Sequence, residues 1–315
     1  MIVITGATGA LNGATVDHLL ARVPAAEIVV AVREPARARR FADLGVRVRR
    51  GDYADPASLP RAFEGADHLL LVSASDPGAD AVALHRTAID AAVAVGVGRV
   101  LYTSHQGAHP DSAFKPARDH AATERLLADS GLAWTALRNG FYAHSLTHLA
   151  GPWRETGTLT VPADGPVSWT AREDAAEAAA VILAALGGYG GPGADGQDGP
   201  AALGHDGPAA LGHDGPAARG YDGPVTLTAT EAPTFHQVAD LAAELTGRPV
   251  RCVTVDPEEW VATQVASGAP EFMARFTLGI YQAAARGHFA GTDPLLSALL
   301  AREPRTVRDL LATAA

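Results

Sequence analysis

The sequence predicts an α/β fold, a doubly wound parallel sheet with a smaller C-terminal lobe. Two observations carry this expectation. Short apolar runs alternate with Ala-rich amphipathic stretches over the first half of the chain. The runs are apolar at successive positions instead of alternate ones, as strands covered on both faces must be. Right-handed crossovers then wind the chain around the sheet and leave ligands at the carboxyl ends of the strands.

Taken in order, Met1–Thr5 is the first strand, built on Ile2-Val3-Ile4, and a helix over 10–22 follows it. Glu27–Val32 is the second strand, and a helix near 35–43 comes next. Val46–Arg50, Asp67–Val72, Arg99–Ser104 and Ala133–Leu137 continue the series, with helices near 56–63, 79–95 and 117–130 between them. Further on, Thr170 is placed to cap a helix whose first turn holds Glu173 and Asp174. Val225–Ala229 reads as an added strand and Thr234–Thr246 as an amphipathic helix. A helix over Pro270–Arg286 carries Phe272, Met273, Phe276 and Tyr281, a stripe that more often packs a core than roofs an aromatic site. The expected division is a nucleotide-binding core over 1–150 and an interleaved substrate lobe over 151–315.

Composition narrows the classes. The chain has 315 residues, 47% of them hydrophobic, and a formal net charge of −10. That length buries a core without disulfides or metals. A single cysteine, Cys252, excludes a disulfide framework and suits a reducing cytoplasm. No apolar run approaches ~18 residues, and no basic segment precedes Ile2, so neither a membrane span nor a secretory signal is expected. An acidic chain is a poor general partner for nucleic acid. Of the 33 glycines, 13 fall in residues 187–223, where Gly-His-Asp-Gly-Pro-Ala-Ala-Leu recurs with small changes. Serial Asp-Gly-Pro turns of this kind cannot bury enough apolar surface to offset their ordering entropy, so the segment reads as a disordered surface loop. The histidines His109, His120, His144 and His148 lack metal-ligand spacing, and no metal is expected.

The first strand ends in Thr5-Gly6-Ala7-Thr8-Gly9-Ala10-Leu11-Asn12-Gly13 and runs straight into a helix. This is the setting of the dinucleotide-binding (Rossmann) fingerprint. Gly6 makes the tight turn, Gly9 lets the backbone approach a pyrophosphate, and the helix N-terminus receives the charge. Asn12 stands where the third glycine is usual. At the end of the second strand Arg33 offers a forked contact for a 2′-phosphate, which favours NADP(H). The neighbouring Glu34 keeps NAD(H) open.

Thr5-Gly6-Ala7-Thr8-Gly9 and Val32-Arg33-Glu34-Pro35-Ala36-Arg37 together resemble the opening of the atypical short-chain dehydrogenase/reductases, NmrA-like branch. Gly51-Asp52-Tyr53-Ala54-Asp55, Tyr102-Thr103-Ser104 and Leu137-Arg138-Asn139-Gly140-Phe141-Tyr142 extend the likeness, which is greatest for the quinone-oxidoreductase-like members. The resemblance implies that Gly6, Thr8, Gly9, Ala10 and Leu11 line the pyrophosphate. It also implies that Arg33 meets the adenosine phosphate, Asp52 lies near the adenine and Ser73 flanks the cofactor. Residues 304–311 then match the family's closing helix.

The same resemblance leaves the proton donor open. Aligning Glu124 with the family's glutamate puts His120 at the position of the usual lysine and Pro116 at that of the usual tyrosine. His120 then either relays a proton or bonds the ribose, or it is a helix histidine with a structural bond. Ser104 sits where a hydroxyl can reach a substrate carbonyl, with His105 beside it. Asn139, Phe141 and Tyr142 lie where this branch builds its substrate mouth. The expected function is NAD(P)H-dependent reduction of a quinone or aromatic ketone by a monomer or homodimer, and family context adds aromatic polyketide tailoring. The alternatives are an NmrA-like redox sensor that binds NAD(P) without turnover and a cofactor-bound scaffold for a partner enzyme.

Overall fold

In the computed structural model, residues 1–74, 76, 78–189 and 221–313 are described. Strand and helix alternate as β1 (Ile2–Thr5), α1 (Ala10–Leu20), β2 (Ile28–Val32), α2 (Arg39–Ala42), β3 (Arg47–Arg50), α3 (Leu59–Phe63), β4 (His68–Leu71), α4 (Ala81–Ala94), β5 (Arg99–His105), α5 (Lys115–Asp129) and β6 (Ala133–Asn139). After them come β7 (Phe141–Tyr142), α6 (Leu146–Leu149), α7 (Trp153–Thr156), β8 (Thr158–Val161), β9 (Trp169–Thr170), α8 (Arg172–Leu186), β10 (Gly223–Leu227), α9 (Phe235–Thr246), β11 (Arg251–Thr254), α10 (Pro257–Ala266), α11 (Glu271–Ala285), α12 (Leu295–Leu300) and α13 (Val307–Thr313). No described helix is long and apolar enough to cross a membrane.

Seven strands form one sheet in the order β10-β6-β5-β4-β1-β2-β3. β1 pairs in parallel with both β2 and β4, and the winding direction reverses between β1 and β4. Every residue of β1 and β2 is buried, which explains the continuous apolar runs. β3 is an edge strand with half-buried and exposed arginines. Arg49 Nη1 donates to the carbonyls of Arg61, Ala62 and Glu64 at 3.3, 3.2 and 2.8 Å, which satisfies the carboxyl end of α3.

The described chain forms two units. Unit 1 comprises 1–103, 123–137 and 176–225; unit 2 comprises 104–122, 138–175 and 226–315. Their boundaries fall inside β5, α5, β6, α8 and β10, so one strand or helix serves both. Unit 1 has a core of Val3, Val29, Phe63, Leu69, Leu71, Val100, Tyr102 and their neighbours. Unit 2 is built around Phe141, Trp153, Trp169, Phe235, Trp260, Tyr281 and Phe289. The short pairs β7·β9 and β8·β11 also belong to unit 2.

Several local expectations are corrected. Thr170 is not a helix cap. It lies in β9, its hydroxyl donates to the Ser168 carbonyl at 3.2 Å, and it accepts from the Ala229 amide at 2.9 Å. The added strand begins at Gly223, two residues before the expected start, and ends at Leu227. Residues 35–43 hold only a 3-10 turn and the four residues of α2. On α11 the stripe divides: Tyr281 is buried as core, whereas Phe272 is 71% exposed and Phe276 41%. Thr234 does cap α9, in a reciprocal capping box with Gln237. The repeat expected to be a disordered loop over 187–223 lies, for 190–220, outside the described residues.

Asp174, in the first turn of α8, is fully buried. It accepts from Arg302 Nη2 at 2.9 Å, from the Arg305 amide at 2.7 Å and from the Arg305 guanidinium. Removing one member of a buried ion pair strands its partners. Asp174→Ala should therefore lower the unfolding free energy by about 2–4 kcal/mol, because the two guanidiniums stay partly exposed. A urea titration with unchanged slope and a lower midpoint checks it.

Candidate functional site

The turn after β1 is shaped by backbone and not by side chains. Gly6 has φ +63°, and a Cβ there would lie 2.6 Å from Val72 Cγ1, so only glycine fits. Gly9 is the N-cap of α1 and makes no side-chain capping bond, and the first turn of α1 carries no acidic residue. Thr8 and Ala10 are exposed and Leu11 half-buried around it. A helix N-terminus with unsatisfied amides and no competing carboxylate fits a diphosphate. Asn12 does not break the arrangement. Its side-chain amide donates to the Thr5 carbonyl at 2.8 Å, and the close approach falls one residue on, at Gly13. A Cβ at Gly13 would lie 2.9 Å from the Ala7 carbonyl oxygen.

The base of this turn is held by a buried hydroxyl network. Thr5 Oγ1 donates to the Leu70 carbonyl at 3.1 Å and accepts from the Val72 amide at 2.8 Å. The Tyr53 hydroxyl lies 2.7 Å from Thr5 Oγ1 and donates to the Val72 carbonyl at 3.1 Å. Burial raises the Tyr53 pKa well above its ordinary value, so the phenol keeps its proton. Farther along, the Ser73 amide donates to Thr103 Oγ1 at 2.8 Å, and the Ala74 amide donates to His85 Nε2 at 2.7 Å. His85 Nδ1 then carries the proton toward Thr123 Oγ1 at 2.8 Å. Burial lowers its pKa to about 4, so His85 stays neutral. Tyr53 and His85 were not singled out in the sequence. For His85 the signal is a polar side chain at a position of α4 where the helix pattern calls for burial; Tyr53 lies in the turn after β3, where no periodicity reports it.

Arg33 stands at the end of β2, where it donates to Asp76 at 2.9 Å. Both side chains are about half exposed or more, so the pair is worth at most about 1 kcal/mol. Asp52 lies in a tight turn, accepting from the Ala54 amide at 3.0 Å.

The remaining candidates fall into two sets within unit 2. His105 is ringed by aromatic side chains, with centroids of Phe289 at 5.2 Å, Phe141 at 5.5 Å and Phe114 at 6.1 Å. His120 stacks on it at 6.1 Å. Phe114 in turn meets the exposed Phe276 at 5.3 Å. The second set is Asn139, whose amide donates to the Tyr142 hydroxyl at 3.4 Å, with His144 stacked on the tyrosine and the Arg172 guanidinium 5.5 Å from its ring. Burial raises the Tyr142 pKa, making it a hydrogen-bond donor at neutral pH. Ser104 is buried on β5. The structure thus joins His105, His120 and Phe141, and separately Asn139 and Tyr142.

A family model described as NAD(P)H-binding matches residues 6–186, from the phosphate-type turn to the end of α8. The chain belongs to this family. Its fold is that of the atypical, NmrA-like reductases that the motifs resembled. Quinone oxidoreductase 2 of Escherichia coli K12 is 42% identical over 192 residues, which is 60% of this chain and 66% of that protein. Among solved structures, an NADPH-dependent quinone oxidoreductase from Escherichia coli complexed with NADPH superposes with a TM-score of 0.82 at 30% identity, covering 100% of this chain and 99% of that one. The triphenylmethane reductase of Citrobacter sp., complexed with NADP(H), gives 0.80 at 29% identity and full coverage of both chains.

Gly9→Asp, which sets a carboxylate against the helix N-terminus, should abolish cofactor binding measured by calorimetry. Arg33→Ala should weaken NADP(H) at least tenfold more than NAD(H); an equal loss for both cofactors would contradict the assignment.

Proposed function

We propose that this protein is an NADPH-dependent reductase of quinones and related small aromatic acceptors. The observation that supports this reading best is the aromatic set around His105, which presents flat apolar faces with few charged groups. Likeness to quinone and triphenylmethane reductases points the same way. Residues 1–150 carry the cofactor groups and 151–315 most of the acceptor lobe.

When bound, the reduced nicotinamide supplies a hydride; the protein's part is to hold, orient and exclude water. The Gly6–Gly9 turn and the first amides of α1 receive the diphosphate. Arg33 exchanges Asp76 for the 2′-phosphate, and Asp52 lies beside the adenosine. Ser73 is fixed through Thr103 against the cofactor edge, and Thr8, Ala10 and Leu11 line the diphosphate. Phe141 and its neighbours keep the planar acceptor dry, while Asn139 and Tyr142 bond its rim. Ser104 and His120 complete the polar groups at the acceptor. A quinone spreads its developing charge over the ring, so it needs only a weak donor where a Tyr-x-x-x-Lys pair is absent.

The acceptor is a small molecule and not a nucleic acid, and the chain works as a monomer or homodimer in the cytoplasm. The Cys252 thiol, pushed up to about 11 by burial and by Asp164, stays protonated there. Stopped-flow mixing with NADPH and a panel of benzo- and naphthoquinones should show acceptor-dependent loss of NADPH absorbance. Binding of NADPH with no turnover across the panel would replace the enzyme with a sensor.

A further inference from the structure

We propose that His105 is a catalytic residue whose Nε2–H, as a neutral imidazole, donates a hydrogen bond to the acceptor oxygen that becomes anionic. The inference rests on the reductase reading and goes beyond it by naming the group that holds the developing charge.

The tautomer follows from the backbone. The Gly107 amide donates to His105 Nδ1 at 2.9 Å, and an amide N–H can only donate. Nδ1 is therefore the acceptor nitrogen, and the proton of the neutral ring sits on Nε2. Gly107 cannot easily move. A Cβ there would lie 2.5 Å from the Phe289 ring and 3.0 Å from the His288 carbonyl, so the loop backbone is packed directly against these two residues. The turn is closed by the Ala108 amide on the His105 carbonyl at 2.9 Å. Gln106 pins it further, its amide donating to the Asn139 carbonyl at 2.9 Å and its side chain to the Phe289 carbonyl at 3.1 Å.

The ring is kept neutral by its surroundings. Phe114, Phe141 and Phe289 meet it edge-on, and among these ring neighbours only His120 can titrate. Burial lowers its pKa to about 4, so at neutral pH it holds one proton and no charge. Nε2 has no hydrogen-bond partner among the described residues, yet it is not one of the sealed polar atoms. A donor left open in an aromatic enclosure is suited to a ligand oxygen.

The chemistry balances without further groups. The quinone accepts the hydride on one carbonyl oxygen, the ring π electrons shift to the opposite oxygen to leave the hydroquinone monoanion, and NADPH becomes NADP⁺. Nε2–H holds the resulting phenolate without surrendering its proton, and water protonates the oxygen to complete the hydroquinone. A cationic triarylmethane dye accepts hydride on carbon and develops no oxyanion, so it makes no use of this donor.

The test compares His105→Phe and His105→Gln with the unchanged protein. With Phe, the ratio of quinone to triarylmethane-dye kcat should fall about 10- to 100-fold, against the 10²–10³ seen when a donor to a localised oxyanion is lost. The quinone KM should move less than kcat, and Gln, which restores an N–H, should recover part of the ratio. A cofactor-free measurement separates this inference from the reductase reading. Affinity for 4-nitrophenolate, followed by its absorbance shift, should fall about tenfold in His105→Phe while affinity for nitrobenzene holds. Equal loss for both acceptors, or unchanged 4-nitrophenolate binding, overturns the role of His105. Turnover of neither acceptor by the unchanged protein overturns the reductase reading alone, since the phenolate measurement still judges His105.

Discussion

One hydroxyl, Thr5 Oγ1, ties the structure together where the sheet reverses direction. It joins the end of β1 to Leu70 and Val72 on either side of the β4 terminus, and Tyr53 closes the network from the loop after β3. Directly above it Gly6 turns against Val72 with no room for a Cβ. Two parallel strands are thereby held in one register at the point where a doubly wound sheet opens its crevice. The network has no charge, so its strength comes from burial and mutual satisfaction. The turns after β1 and β4 both start from strands that this junction aligns.

Unit 2 is organised differently. It relies on interlocking rings, from Trp260 and Tyr281 through Phe235 and Trp169 to Phe141 and Phe289. Edge-to-face and tilted contacts of this kind fix angles as well as distances. Polar atoms enter the framework at few points, and at His105 and Tyr142 burial favours the uncharged form.

The sheet was legible because burial on both faces writes itself as continuous runs; Ile28–Val32 admits no other reading. The phosphate-type turn was legible for the same reason that it works, since glycines at Gly6 and Gly9 follow a strand and open a helix. Asn12 stands where the third glycine is usual, Gly13 supplies the close approach instead, and the bond from Asn12 to the Thr5 carbonyl is one that no residue pattern reports. Thr170 misled because a threonine ahead of two acids fits a cap equally well, and the two-residue strand that claims it carries no periodicity. The short strands β7, β8 and β11 escaped notice on the same ground. At the candidate site, the family resemblance put His120 at the usual lysine position and left a proton relay, a ribose bond and a structural role open. The link between His105 Nδ1 and the Gly107 amide is a matter of backbone conformation, and no residue pattern reports it.

The arginine-rich edge has a meaning for life in concentrated solution. β3 presents Arg47, Arg49 and Arg50 on one of the two rims of the seven-stranded sheet. A second copy approaching this rim would bring its own guanidiniums against them, and like charges along paired strands repel. Arg49 is also committed to the end of α3, so the rim cannot flatten to accept a newcomer without releasing three carbonyls. One of the two open margins of the sheet is thus defended against polymerisation in part by the residue that finishes a neighbouring helix.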